Sequence, residues 1–196
     1  MKKLLIAIIC LITTVACRAQ EPVIAIDDIM DVFNFKSTIA LGDNEEKEAA
    51  ELTDMAVNMF TAKGFAHGLT GDGYGGPCVI IDGFYKGGVP NKEQYCFAPG
   101  DDKDNACVVE MSACNDGDQG DYELFVTVEL FTKHAATAFI KQFGQSGFNM
   151  VGVPDDDGHC TFTDGTHYID YSHETGYAND SYFFIIQTAA RKQRIN

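Results

Sequence analysis

His167, Asp170 and His173 are residue types that hold a metal ion or carry a proton, and they fall within seven positions of one another. A site of two imidazoles and a carboxylate needs all three side chains to converge at about 2 Å from the ion. On a strand, successive side chains alternate between faces, so His167 and His173 share a face while Asp170 takes the other. His167 and His173 therefore stand as metal candidates without the carboxylate, against a competing reading as exposed strand polars. Cys160 adjoins His159, the thiol and imidazole that thiol catalysis combines, yet neighbours on a strand again point apart. The other thiol arrangement sets Cys114 against a distant His67 or His134, with no strained elbow or protease-like run around Cys114 to support it.

Three acidic runs offer the oxygen ligands that calcium prefers: Asp101-Asp102-Lys103-Asp104, Asp116 to Asp121, and Asp155-Asp156-Asp157-Gly158. The middle run comes closest to a calcium loop. Counted from Asp116 it puts Gly120 fifth and no Glu twelfth, so solvated turns are the better reading. No cofactor is expected, with calcium the one candidate. The glycine-rich segment Gly71 to Pro77 precedes a strand instead of opening a helix, which is the wrong order for a phosphate cradle. Tyr74, Gly75 and Gly76 fit a binding loop with Tyr74 exposed, and Tyr95, Tyr177 and Tyr182 would add aromatic anchors.

Cys96 and Cys107 flank a turn-rich charged loop, and a bridge between them would contribute about 2–4 kcal/mol by restricting the unfolded chain. Cys78 and Cys160 read as small buried apolar side chains. With Cys114 they make five cysteines beyond the leader, an odd number that cannot all pair internally.

The elements that would position these groups come from a repeat. Met59 to Phe65 recurs as Gln142 to Phe148, and Cys78 to Gly83 recurs as Cys160 to Gly165, at offsets of 83 and 82 residues. The chain is expected to be α+β, a tandem duplication of a β-α-β-β-β unit in which each helix packs on an antiparallel sheet. The first repeat spans 21–114 and the second 115–196. In the second, Tyr122 to Leu130 alternates apolar and polar residues as a half-buried strand does. Thr132 caps a helix bearing Ala135, Ala138, Phe139 and Phe143, Gly147 ends it, and Asp164-Gly165 forms a hairpin turn. In the first, Phe33, Phe35, Ser37, Ile39 and Leu41 predict a strand, and Leu52, Met55, Ala56, Met59 and Phe60 a helix closed by Gly64. Val79 to Tyr85 and Cys107 to Ser112 are read as further strands of the first unit, while the repeat equates Asp82 with Asp164 as a turn residue.

The amino end has the three-part pattern of a secretory leader: Lys2-Lys3, an apolar run from Leu4 to Ile12, then small residues. Residues 1–19 are expected to be a cleaved signal peptide, cut after Ala19 or before Cys17 with a lipid attached there. Loss of three positive charges with this leader takes the net charge from −15 to −18. Such a chain repels phosphate backbones and anionic lipid, which argues against nucleic acid and against a membrane other than through a lipid anchor. The expectation is an exported bacterial protein outside the cytoplasm: periplasmic, an outer-membrane lipoprotein or secreted. It would bind a neutral or cationic protein or glycan without catalysis. The alternative is a secreted hydrolase with a His/Asp or Cys/His site between the repeats.

Overall fold

Residues 22–36, 45–68, 78–91, 96–115, 122–175 and 180–189 are described by the computed structural model. The leader with Cys17, the loop with Tyr74, Gly75 and Gly76, the acidic run 116–121, Tyr95 and Tyr177 lie outside the described residues.

Helix α1, Ile26–Lys36, buries Ile26, Ile29, Val32 and Phe33, with Asp27 and Asp28 in its first turn and Lys36 in its last. These charges complement the helix dipole, and the three- and four-residue spacing defines one apolar stripe. The strand expected from Phe33 onward is thus incorrect at its start. The alternation of Phe33 with Phe35 is overridden by a helical pattern that begins at Ile26. Helix α2, Glu45–Ala62, fully buries Leu52, Ala56 and Phe60. Helix α3, Lys133–Phe143, buries Ala135, Ala136, Phe139 and Phe143, and the Thr132 hydroxyl accepts the Ala135 N–H at 3.0 Å as the expected N-cap.

Helices α2 and α3 end alike. The Phe65 N–H donates to the Phe60 carbonyl at 3.0 Å, and the Phe148 N–H to the Phe143 carbonyl at 2.9 Å. Each closure passes through a glycine in the left-handed region, Gly64 at φ +82° and Gly147 at φ +87°, where a Cβ would be strained. Each then delivers a short edge strand: β1, Ala66–His67, and β7, Asn149–Val151.

These two strands bound one eight-stranded sheet. The others are β2 (Cys78–Lys86), β5 (Cys107–Asn115), β6 (Tyr122–Leu130), β8 (Cys160–Thr163), β9 (His167–Thr175) and β10 (Asp180–Thr188). The order is β1-β2-β5-β6-β10-β9-β8-β7, with every pairing antiparallel. The two halves of the chain join through β5 and β6, whose register runs from Cys107 opposite Leu130 to Asn115 opposite Tyr122. A separate hairpin of β3 (Gly88–Asn91) and β4 (Cys96–Pro99) leaves the end of β2. The architecture is mixed α+β, with three described helices and a large antiparallel sheet.

One core underlies all three helices. Ile29, Leu52, Phe60 and Phe139 share it with Phe84, Met111, Val126 and Phe184 from the central strands. Phe143 meets Phe139, Phe162 and Phe184 at ring-centroid distances of 5.1, 5.0 and 6.0 Å. Burying a side chain of this size contributes about 1.5–3 kcal/mol, so the α3 face is a main source of stability.

The two Asp-Gly segments are used differently. Asp164-Gly165 turns between β8 and β9, with Gly165 at φ +92°. Asp82-Gly83 instead lies inside β2, opposite Met111 and Glu110. The turn expected at Asp82 is not formed because a long ladder with β5 continues through it. The expected Cys96–Cys107 bridge is not made either: Cys107 is a free thiol, fully buried on the core side of β5.

Candidate binding face and an Asp82–His67 pair

Alternation along the strands assigns each side chain to one of two faces. The apolar set, including Met111, Val126, Ile169 and Phe184, meets the helices. The other face receives no described helix, and its residues line up in cross-strand rows. One row runs Val151, Thr161, Asp170, Ile185, Thr127, Glu110. The next runs Ser172, Phe183, Glu129, Val108, Tyr85. A third carries Tyr168, Gln187, Phe125 and Ser112. Among the described strand positions of this face there are five carboxylates, Glu110, Glu123, Glu129, Asp170 and Glu174, and no lysine or arginine.

Two of these carboxylates are held by side-chain hydrogen bonds. Asp170 accepts from the Thr161 hydroxyl at 2.6 Å and from the Gln187 amide at 3.0 Å. Glu129 accepts from the Ser181 hydroxyl at 2.7 Å. Burial pushes the Glu129 pKa above the ordinary carboxylate value, the Ser181 bond opposes it, and the charges of Glu174 and Glu110 raise it further. Burial alone raises Glu110. Like charges gathered on a partly buried surface disfavour one another's ionised form.

Two walls rise from this floor. At one end the β3–β4 hairpin sets Phe97 against Tyr85 and Phe131, at 6.0 and 5.3 Å between ring centroids. At the other, the β7–β8 connection borders an open groove of about 390 Å³ lined by Val151, Val153, Asp155, His159, Thr161, Asp170 and Ile185. Val153 is 86% exposed and Ile185 40%, so the groove presents apolar surface beside its carboxylates. Asp155 shapes the wall by accepting the Asp157 and His159 N–H groups at 3.0 and 2.8 Å, with the His159 ring 3.3 Å away.

On the helix-covered side, a second polar cluster sits at the β1 edge. The Asp82 carboxylate is 8% exposed and accepts from the Thr53 hydroxyl of α2 at 2.7 Å. Its other oxygen is 2.8 Å from His67 Nε2. The imidazole stacks on Phe84 with centroids 5.2 Å apart. This contact orients His67 through one nitrogen, as an acid–base histidine is oriented by a carboxylate. The sequence alone gave no sign of it, since the partners lie 15 and 29 residues apart on a strand edge, a central strand and a helix.

The residues singled out from the sequence are dispersed. His167 and His173 share a face, as parity required, but stand six positions apart on β9, about 20 Å along the strand. They cannot ligate one ion. His167 binds Asp164 at 3.1 Å and packs edge-on to Phe33, while His173 stacks on Tyr182 at 4.5 Å. Burial works to raise the Asp164 pKa, but bonds from the His167 N–H, its ring and the Thr166 N–H outweigh it and hold the carboxyl low. Tyr182 is buried and serves the core, not a recognition surface. Burial and the nearby Asp155 raise the Cys160 thiol; burial and Glu129 raise Cys107 far above the thiol range. Cys114 is held in a disulfide, which removes it as a nucleophile. In the acidic run 101–104, Asp102 accepts from Asn105 at 2.7 Å and Asp104 from the Thr132 hydroxyl. Among the described residues, no three His, Cys, Asp or Glu side chains gather to hold a metal ion, and no helix is long and apolar enough to cross a membrane.

No protein-family model, curated protein or solved structure matches the chain.

Proposed function

We propose that this chain is an exported bacterial binding module, periplasmic, lipid-anchored or secreted, that grips a neutral or cationic protein or glycan on its uncovered sheet face. The observation that carries the proposal is the division of the sheet. All three described helices cover one face, whereas the other combines Phe125, Phe183, Tyr85 and Ile185 with five carboxylates and, among its described strand positions, no lysine or arginine. Aromatic rings supply contact area at low entropic cost, and carboxylates accept from sugar hydroxyls, amides or ammonium groups. The leader, with cleavage after Ala19 or lipid attachment at Cys17, accounts for delivery outside the cytoplasm.

The shared closure of α2 and α3, each leading to an edge strand at opposite ends of the sheet, supports a tandem origin for 21–114 and 115–196. In this reading the binding face arose where the duplicated sheets fused at β5 and β6.

A second reading draws on the Asp82–His67 pair, which would supply the general base of a hydrolase. It is the lesser reading because the one hydroxyl joined to the pair among the described residues, Thr53, donates to Asp82 itself and not to the His67 ring that would have to take its proton.

The test is an array of neutral, basic and acidic glycans and peptides probed with the mature chain at two salt concentrations. Binding to neutral or basic probes is expected, the basic ones weakening with salt. Binding confined to acidic probes would overturn the proposal.

A further inference from the structure

We propose that the disulfide of Cys114 is made with Cys78, cross-linking β2 to β5 at the end remote from the β3–β4 hairpin. Cys107 and Cys160 are free thiols, whereas Cys114 is bonded. Beyond the leader, this leaves Cys78 and Cys96 as partners within the chain. Cys78 stands directly opposite Cys114 in the antiparallel register, next to the irregularity between Cys78 and Ile80. Directly opposed residues have Cα atoms about 4.5–5.5 Å apart, within the roughly 4.4–6.8 Å that a disulfide spans.

Cys96 belongs to the other end. It is paired with Asn91 in the hairpin, and its neighbour Phe97 lies against Tyr85 and Phe131. Tyr85 is opposite Val108, six positions before Cys114 on β5, or about 20 Å along the strand. Cys96 is therefore left as the odd cysteine.

Formation of the bond is a two-electron oxidation. The two thiols lose two protons and two electrons as the sulfur–sulfur bond forms, and the disulfide of a thiol–disulfide oxidoreductase accepts both to become a dithiol. In vitro, oxidised glutathione takes that role. The cross-link closes a loop that contains the hairpin and most of β5, and it suits an oxidising compartment. It is independent of what the open face binds.

The test is a peptide map of the full chain after export to an oxidising compartment or refolding with oxidised glutathione. Free thiols are blocked with N-ethylmaleimide under denaturing, acidic conditions before digestion without reductant. The expected result is a linked peptide pair containing Cys78 and Cys114 that separates on reduction, with maleimide on Cys107 and Cys160. In Cys78→Ser, Cys114 should become reactive toward maleimide. A link from Cys114 to Cys96, or maleimide on both Cys78 and Cys114 of the wild-type chain, would overturn the assignment.

Discussion

Replacing Asp82 by alanine removes two hydrogen bonds at once from a site only 8% exposed. A hydrogen bond to a charged group contributes about 1.5–3 kcal/mol, and a buried donor left alone adds a desolvation penalty. His67 retains part of its solvation, since its side chain is 33% exposed, so its share falls near the lower end. Thr53 is part-buried and loses its acceptor more fully. The expected destabilisation is about 2–4 kcal/mol, equivalent to a fall of about 6–12 °C in Tm for a chain of this size. Chemical denaturation with an unchanged m-value measures the free energy, and a cycle with His67→Ala measures the coupling. Coupling of about 1–2 kcal/mol is expected for the pair. A stability within about 0.5 kcal/mol of wild type, or effects that simply add, would show that the contact does not tie α2 and β1 to the sheet.

Three further outcomes follow from the same contacts. Glu129→Gln should raise Tm at neutral pH, because burial and the charges of Glu174 and Glu110 lift the folded-state pKa above the unfolded one. The ionised form costs stability above that raised value, and the cost disappears as pH falls through it toward the ordinary 4.5, so the two proteins should converge in acid. Gly87→Ala should destabilise by at least about 2 kcal/mol, since the φ of +72° is strained for alanine and the new Cβ would lie 2.5 Å from the Asn105 carbonyl oxygen. Gly147→Ala, whose Cβ meets nothing within 4 Å, should cost about 1 kcal/mol; equal losses on denaturation curves would contradict this account. Iodoacetamide should modify Cys160 slowly in the native protein and Cys107 only on unfolding, and equal native rates by mass spectrometry would refute their different burial.

Where local pattern and tertiary packing agreed, the elements could be read in advance. Thr132, Phe139, Phe143 and Gly147 announced α3 because cap, apolar stripe and stop are all local signals. The alternation through Leu124, Val126 and Val128 announced β6 for the same reason. Helix α1 was misread because Phe33 and Phe35 match a two-residue period over a short window, whereas the longer pattern from Ile26 is helical. The strand from Val79 to Tyr85 is legible as β2, whereas the repeat wrongly equates Asp82 with the turn at Asp164: an Asp-Gly pair signals a turn only when its flanking strands pair with each other, and β2 pairs with β5 and passes through. The Asp82–His67 contact and the acidic rows of the open face depend on register between strands far apart in the chain. Spacing within one strand carries no trace of either.

The most direct test of binding through the uncovered face compares two charge-altering variants against whichever neutral or basic probe the wild-type chain binds. Ile185→Arg places a positive side chain at the groove beside Asp170, whereas Glu51→Arg does so on α2, where that side chain is 51% exposed. By isothermal titration, Ile185→Arg should weaken binding at least tenfold, about 1.4 kcal/mol, and Glu51→Arg should leave it unchanged. Loss with Glu51→Arg and full retention with Ile185→Arg would place the partner on the helical side and contradict the account.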